Sequence, residues 1–181
     1  RYEGGKYDMS ATRNEGNEGD NLMHQNEKID STKPATKTIH GRTVYGGGGI
    51  TPDYIIKQDT LTSYTVQLRR LNLLYQYSEN IMKTQRKNIE SSYKNFMDFA
   101  INYQVTDNML NELIQLGESK GVKFVQSDFD RDKVFIITLV KSQMARDIWG
   151  NEGSYAVFML SDDVFMKAVS LFDEAVALMK L

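Results

Sequence analysis

The sequence predicts a mainly α-helical protein. A bundle of five or six helices spans about residues 60–181, behind a flexible polar arm and a short β segment. Three observations carry this prediction. Residues 1–40 are dominated by Gly, Asn, Asp, Glu and Lys, and the stretch from Asn14 to Asn21 holds no apolar residue. Residues 41–58 place four consecutive glycines between two short runs of strand-forming residues. From residue 59 onward, apolar residues recur at spacings of three and four, the period of an amphipathic helix. The expected organisation is therefore a largely flexible arm (1–40), a glycine-rich β segment (41–58) and a helical domain (59–181).

In the arm, too little apolar surface is present to offset the entropy of ordering the chain. In the β segment, Thr43 to Tyr45 and Tyr54 to Ile56 read as strands. Gly46 to Gly49 between them permit positive φ and close backbone approach. Pro52 fixes its own φ and pushes Thr51 toward extended geometry.

The first helix is expected after Asp59 or Thr60 as N-cap, with Leu61, Tyr64, Leu68, Leu71 and Tyr75 on its apolar face. A second follows over about Ser78 to Ile89. A third, Ser92 to Tyr103, brings Phe96, Phe99, Ala100 and Tyr103 to one side. Thr106 or Asp107 caps a fourth, which carries Leu110, Leu113 and Ile114 and ends at Lys120-Gly121, with Gly121 suited to the C′ position. Val122 to Val125 reads as a short extended piece. Asp128 to Trp149 carries conflicting signals: Val134 to Val140 is rich in β-branched residues, yet Ile136, Val140, Met144 and Ile148 repeat every four. The four-residue repeat and the helix formers Ala145 and Arg146 favour a helix, which Gly150 stops. Ser154 to Leu160 is open between helix and strand. Asp162 begins a final helix whose apolar stripe is Val164, Ala168, Leu171, Phe172, Ala175 and Leu178. No internal repeat of solenoid length is present.

Composition narrows the function classes. The 181 residues are 40% hydrophobic and 25% charged, ordinary for a globular protein. The net charge of −2 gives no basic footprint for nucleic acid, so no nucleic-acid partner is expected. No apolar run approaches the roughly 20 residues of a membrane span. The absence of cysteine rules out disulfides, thiolate chemistry and cysteine zinc sites. The chain begins at Arg1 with neither Met nor a signal peptide, and is expected to be a piece of a longer protein.

The residue patterns that resemble sites fail on spacing. Gly46 to Gly49 precede Ile50-Thr51-Pro52, where a phosphate-binding loop needs Gly-Lys-Ser/Thr opening a helix. Asp128, Asp130 and Asp132 alternate as in a calcium loop, but Lys133 and Leu139 occupy the positions that need Gly and Glu. An acidic helix N-terminus is the better reading. His24 and His40 are the only histidines, and neither has a second ligand at metal spacing. Trp149 and the face of Phe96, Phe99 and Tyr103 read as core, and the scattered methionines as gap fillers between helices. Lys83, Arg86, Lys87 and Lys94, interrupted by Glu90, read as a solvated face. No catalytic, cofactor-binding or metal-ligating residue is assigned, and no cofactor is expected.

The 13 contiguous residues Gly41-Arg42-Thr43-Val44-Tyr45-Gly46-Gly47-Gly48-Gly49-Ile50-Thr51-Pro52-Asp53 resemble the closing segment of the peptidase core in the C-terminal processing peptidases, or tail-specific proteases. Bacterial members with long helical C-terminal regions carry similar runs. The opening Arg1 to Tyr7 resembles the excursion after that family's active-site strands. Val105-Thr106-Asp107, Lys141 to Trp149 and Asp162 to Leu171 resemble its tail. On this resemblance Gly41, Arg42, Tyr45, Gly46, Gly47, Gly48, Gly49, Ile50, Pro52 and Asp53 form a structural motif. The family uses a serine nucleophile with a lysine base, which requires burial or a nearby cation to lower the lysine pKa. Both would lie before this chain, so it should be inactive alone. The resemblance implies partners in the remainder of a parent peptidase (PDZ and catalytic core) and its protein or peptide substrates. It also implies a cell-envelope, periplasmic setting.

Two functions follow. One is the C-terminal, non-catalytic region of such an endopeptidase, contributing a core strand segment and a helical accessory domain. The other is a helical protein–protein interaction or dimerisation module with no peptidase link, for which homo-oligomerisation is open.

Overall fold

A computed structural model describes residues 35–37, 41, 43–45, 54, 56 and 60–179. The chain divides between Gln58 and Asp59 into two compact units.

In the first unit, β1 (Ala35–Lys37) pairs antiparallel with β2 (Thr43–Tyr45), in the register Ala35 to Tyr45, Thr36 to Val44 and Lys37 to Thr43. β2 lies where the sequence predicts a strand. β1 falls within the span read as a largely flexible arm: three residues with no apolar alternation form a strand because a neighbouring strand supplies the ladder. Tyr54 and Ile56 lie in no ladder, so the second expected strand is not formed at those described positions. Extended residues become a strand only with a hydrogen-bonded neighbour.

The second unit is all helical, as predicted. Its elements are α1 (Ser63–Arg70), α2 (Leu73–Ser92), α3 (Phe96–Asn102), α4 (Asp107–Ser119), α5 (Gln126–Ser161), α6 (Asp163–Ser170) and α7 (Phe172–Met179). Side-chain caps set four of the starts. The Thr62 hydroxyl accepts from Thr65 N–H, Asn95 Oδ1 from Asp98 N–H, Thr106 Oγ1 from Met109 N–H, and Asp162 Oδ1 from Phe165 N–H. Each satisfies a donor that the first turn leaves unpaired.

These caps correct several boundaries. α1 starts from Thr62, neither Asp59 nor Thr60. The helix expected to run on past Leu71 breaks at Asn72, which adopts left-handed backbone (φ 56). Asparagine is among the few non-glycine residues that do so readily. α3 starts at Phe96, not Ser92, because Asn95 rather than Ser92 caps it. The fourth helix agrees at both ends: Thr106 caps it, and Gly121 follows it at φ +82 while Val122 N–H returns to Gly117 O at 2.9 Å.

The central element is α5, against which α1, α2 and α3 pack, while α4 packs on α2. The four-residue repeat decides its conformation over the β-branched propensity: Ile136, Val140 and Met144 are each 0% exposed. Gly150 interrupts it (φ 68, ψ −153), and the chain then resumes as helix through Ser161. Ser154 to Leu160 is therefore helical. Gly153 lets this second stretch approach the first, since a Cβ there would lie 2.7 Å from the Ala145 carbonyl oxygen.

The core runs from Tyr64 to Val157, with Phe99, Leu113, Ile136 and Met144 at its centre. Aromatic rings knit α3 to α5: Phe99 stacks on Tyr103 at 4.6 Å and meets Trp149 at 5.2 Å. The final helix departs from expectation. It is split at Leu171, and no residue of α6 is buried. Of the predicted apolar stripe, Val164, Ala168, Phe172 and Ala175 are exposed among the described residues and Leu171 is half-buried.

Candidate functional site

In the glycine-rich segment, Gly41 lies in the connection between the hairpin strands at φ +78. A Cβ there would meet nothing within 4 Å. The left-handed dihedral, not crowding, therefore favours glycine. Tyr45 lies in β2 opposite Ala35. Arg42, Gly46, Gly47, Gly48, Gly49, Ile50, Pro52 and Asp53 lie outside the described residues, as do His24 and His40. Of the predicted motif, one hairpin thus brings together Gly41 and Tyr45.

In the helical unit the polar side chains with specific partners hold elements in place. Asp132 is 6% exposed and sits on the first turns of α5. Its Oδ2 accepts from Thr62 N–H at 2.8 Å and from the Thr62 hydroxyl at 2.7 Å. Arg131 adds a 3.4 Å contact to Oδ1 and donates to Thr60 O. Burial alone pushes the Asp132 carboxyl up. The hydrogen bonds from Thr62, Thr65 and Arg131 outweigh it and hold the group below the usual aspartate value. This carboxylate ties the entry of α1 to α5. Asp128 and Asp130 share its helix; Asp130 accepts from Gln126 at 2.8 Å. Among the described residues no three His, Cys, Asp or Glu side chains converge as a metal site would require.

Lys141 reaches from α5 to the C-terminal end of α3. Its Nζ donates to Ala100 O at 2.8 Å and Tyr103 O at 2.7 Å, and lies 5.8 Å from the Phe99 ring centroid. A cation on the C-terminal carbonyls of a helix is favoured by the dipole. Burial lowers its pKa. These carbonyl partners make it the clamp of α3.

Two tyrosines link further elements. Tyr77 donates to Glu112 Oε2 at 2.9 Å, joining α2 to α4. Burial first, and that bond second, push its phenol up. Tyr64 is buried under α4, with its hydroxyl unpaired in the protein. Burial, assisted by Glu118, pushes it up to about 12.

On the surface, Arg86 bridges α2 to α5 through Asp147 at 3.0 Å, and pairs along its own helix with Glu90 at 3.0 Å. The Lys83, Arg86 and Lys87 stretch lines a shallow groove with Glu79 and Asp147. Its charges are thus mixed, consistent with a solvated face.

Among the described residues, exposed apolar side chains concentrate toward the C-terminal end. Nine of the seventeen exposed large hydrophobic residues among those described lie between Tyr155 and Val176. Phe165 is 40% exposed and Phe172 66%. Of these nine, sequence reading places only Val164 and Phe172 on the apolar stripe of the final helix of the bundle. It misses Asp132 and Lys141 as clamps, because their partners lie far away in sequence.

A family of unknown function, DUF8443, matches residues 64–150. The match begins in α1 and ends at the α5 kink, so it covers most of the packed helical core and leaves out the hairpin, the second stretch of α5, α6 and α7. No curated protein and no solved structure matches the chain.

Proposed function

We propose that this chain is the C-terminal, non-catalytic region of a serine endopeptidase of the C-terminal processing type. It contributes a strand segment from the end of the peptidase core and a helical accessory domain. The run from Gly41 to Asp53 carries this reading, since a glycine run of this length, bounded by strand residues and closed by Pro52-Asp53, is an uncommon pattern. The positive φ of Gly41 and the strand at Thr43–Tyr45 are compatible with it. The nucleophile and lysine base belong to the parent protein, as do the protein substrates and a cell-envelope location.

The helical unit is suited to an accessory role. Its specific polar contacts, Asp132 to Thr62, Lys141 to α3 and Tyr77 to Glu112, fasten helices to one another. They form a rigid body able to position a neighbouring domain.

The test uses the native polypeptide, captured from its source with an antibody to the helical unit. It should cleave an unfolded protein, and this 181-residue chain should not. A native polypeptide without peptidase activity, or turnover by this chain alone, contradicts the proposal.

A second reading, an interaction module with no peptidase link, is favoured by the uncovered apolar surface of α6 and α7. It predicts a native polypeptide that binds a partner and cleaves nothing.

A further inference from the structure

The chain that leads from α4 into α5 runs beside a cleft. Residues 122–125 belong to neither helix, and their side chains alternate as in a strand: Val122 is buried, Lys123 exposed, Phe124 half-buried and Val125 exposed. Val125 has extended backbone (φ −132, ψ 108). Val122 N–H donates to Gly117 O, and Val125 O accepts from Phe129 N–H. Among the described residues, the N–H groups of Lys123, Phe124 and Val125 donate to no protein acceptor. The carbonyls of Val122, Lys123 and Phe124 likewise accept from no protein donor. A short extended edge with unpaired ladder groups is a template for another extended chain.

The cleft, about 310 Å³, lies between α4 and the first turns of α5. Leu110, Ile114, Phe124 and Phe129 give it an apolar lining. Phe124 is braced by the Tyr64 ring at 5.8 Å and the Phe129 ring at 5.7 Å. Asp107, Asp130 and Lys133 also line it, two carboxylates against one ammonium. Lys133 pairs with Asp107 at 3.3 Å. Asp130 accepts from Gln126 at 2.8 Å, but that amide is neutral and leaves the charge uncompensated.

We infer that residues 122–125 and this cleft bind an extended peptide segment carrying one apolar side chain next to a basic one. The unpaired backbone groups select an extended main chain, because a helical partner pairs its own backbone internally and would leave this edge unmet. The cleft is at the small end of the range for ligand sites, which suits a single apolar side chain rather than a helix face. The charge of Asp130 selects the basic neighbour. Phe124 couples the two parts, since it belongs to the edge and lines the cleft. The inference concerns the helical unit alone and holds whether or not a peptidase lies upstream.

The probe is a fluorescein-labelled hexapeptide of alternating leucine and lysine, titrated with the full 181-residue chain and followed by fluorescence anisotropy. Saturable binding is expected, with a Kd on the order of 100 μM for so small an interface. The same peptide N-methylated along its backbone keeps its side chains but loses its donors, and should bind about tenfold more weakly. Asn111→Trp, at an exposed lining position, should fill the cleft and weaken binding about tenfold, with the circular dichroism spectrum of the parent. Asp130→Asn should weaken it about threefold, the scale of one exposed ion pair. Hydrogen exchange with the peptide bound should slow at the Lys123, Phe124 and Val125 amides.

No saturable binding up to about 1 mM peptide would overturn the inference. So would binding indifferent to N-methylation or to Asn111→Trp, or binding that leaves the amides of residues 123–125 unprotected. Protection of those amides on concentrating the chain alone would overturn it too, by making a second copy the occupant.

Discussion

The kink in α5 rests on two glycines, and substituting each with alanine tests whether that backbone path is real. Gly153 is helical, so alanine there gains about 1 kcal/mol of helix propensity. Against this, the new Cβ would sit 2.7 Å from the Ala145 carbonyl oxygen and 3.0 Å from Trp149 Cβ. The carbonyl is backbone and cannot rotate away, so overpacking falls at the upper end of its range, about 3 kcal/mol. The expected net loss is about 2 kcal/mol. Gly150 meets nothing within 4 Å, but its φ of 68 and ψ of −153 lie in a region essentially restricted to glycine. Gly150→Ala should cost about 1–3 kcal/mol for the dihedral, offset by about 0.5 kcal/mol from a stiffer unfolded chain. Urea unfolding followed by circular dichroism should show the Gly153→Ala midpoint lowered by about 1 M. The two losses should not add, because both release the same approach of helix to helix. A Gly153→Ala protein as stable as the parent would refute the close approach. A neutral Gly150→Ala would refute the kink.

Three further outcomes follow from individual side chains. Tyr64→Phe removes a buried hydroxyl without a protein partner, so thermal unfolding should show a protein unchanged or stabilised by about 1 kcal/mol; a clear loss would mean that the hydroxyl is paired. Asp132→Asn removes the charge that accepts two bonds from Thr62, and should cost about 2 kcal/mol at neutral pH in urea titration. The folded-state pKa of Asp132 is lowered, so its stabilisation is complete above the ordinary aspartate value and is lost as pH falls through the folded one. The difference between parent and Asp132→Asn should therefore shrink in acid, and a constant difference would contradict the assignment. Lys141→Met retains the aliphatic packing but leaves the Ala100 and Tyr103 carbonyls without their cation, and hydrogen exchange at α3 should accelerate with the rest of the core little changed.

The helical half was legible where a local signal decides the structure. The repeat of Ile136, Val140 and Met144 outweighed the β-branched run because burial on one helical line contributes more than propensity. Thr106 and Gly121 bounded α4 because caps are local hydrogen-bond chemistry. Long-range or context-dependent features were not legible. The period through Leu71 and Tyr75 continues across the break, and only Asn72 in its left-handed conformation interrupts it. Asp132 looks like any acid at a helix start, since Thr62 lies 70 residues away. The α6–α7 stripe looks the same whether its partner is the core or another molecule. Ala35–Lys37 has no strand pattern and acquires one only by pairing with β2. Of the candidate motif, positive φ was read for Gly46 to Gly49, which with residues 50–53 lie outside the described part of the chain; the positive φ of Gly41 was not read from the sequence.

The proposal that this chain belongs to a larger peptidase is tested most directly by sequencing the native polypeptide that contains the Tyr64 to Gly150 helices, by mass spectrometry of the captured protein. The account predicts a longer chain in which a serine within a small-residue motif, and then a lysine, precede the Gly41 to Asp53 segment. Replacing either upstream residue should abolish cleavage. A native polypeptide without such a pair, or with cleavage unaffected by its removal, would contradict the account.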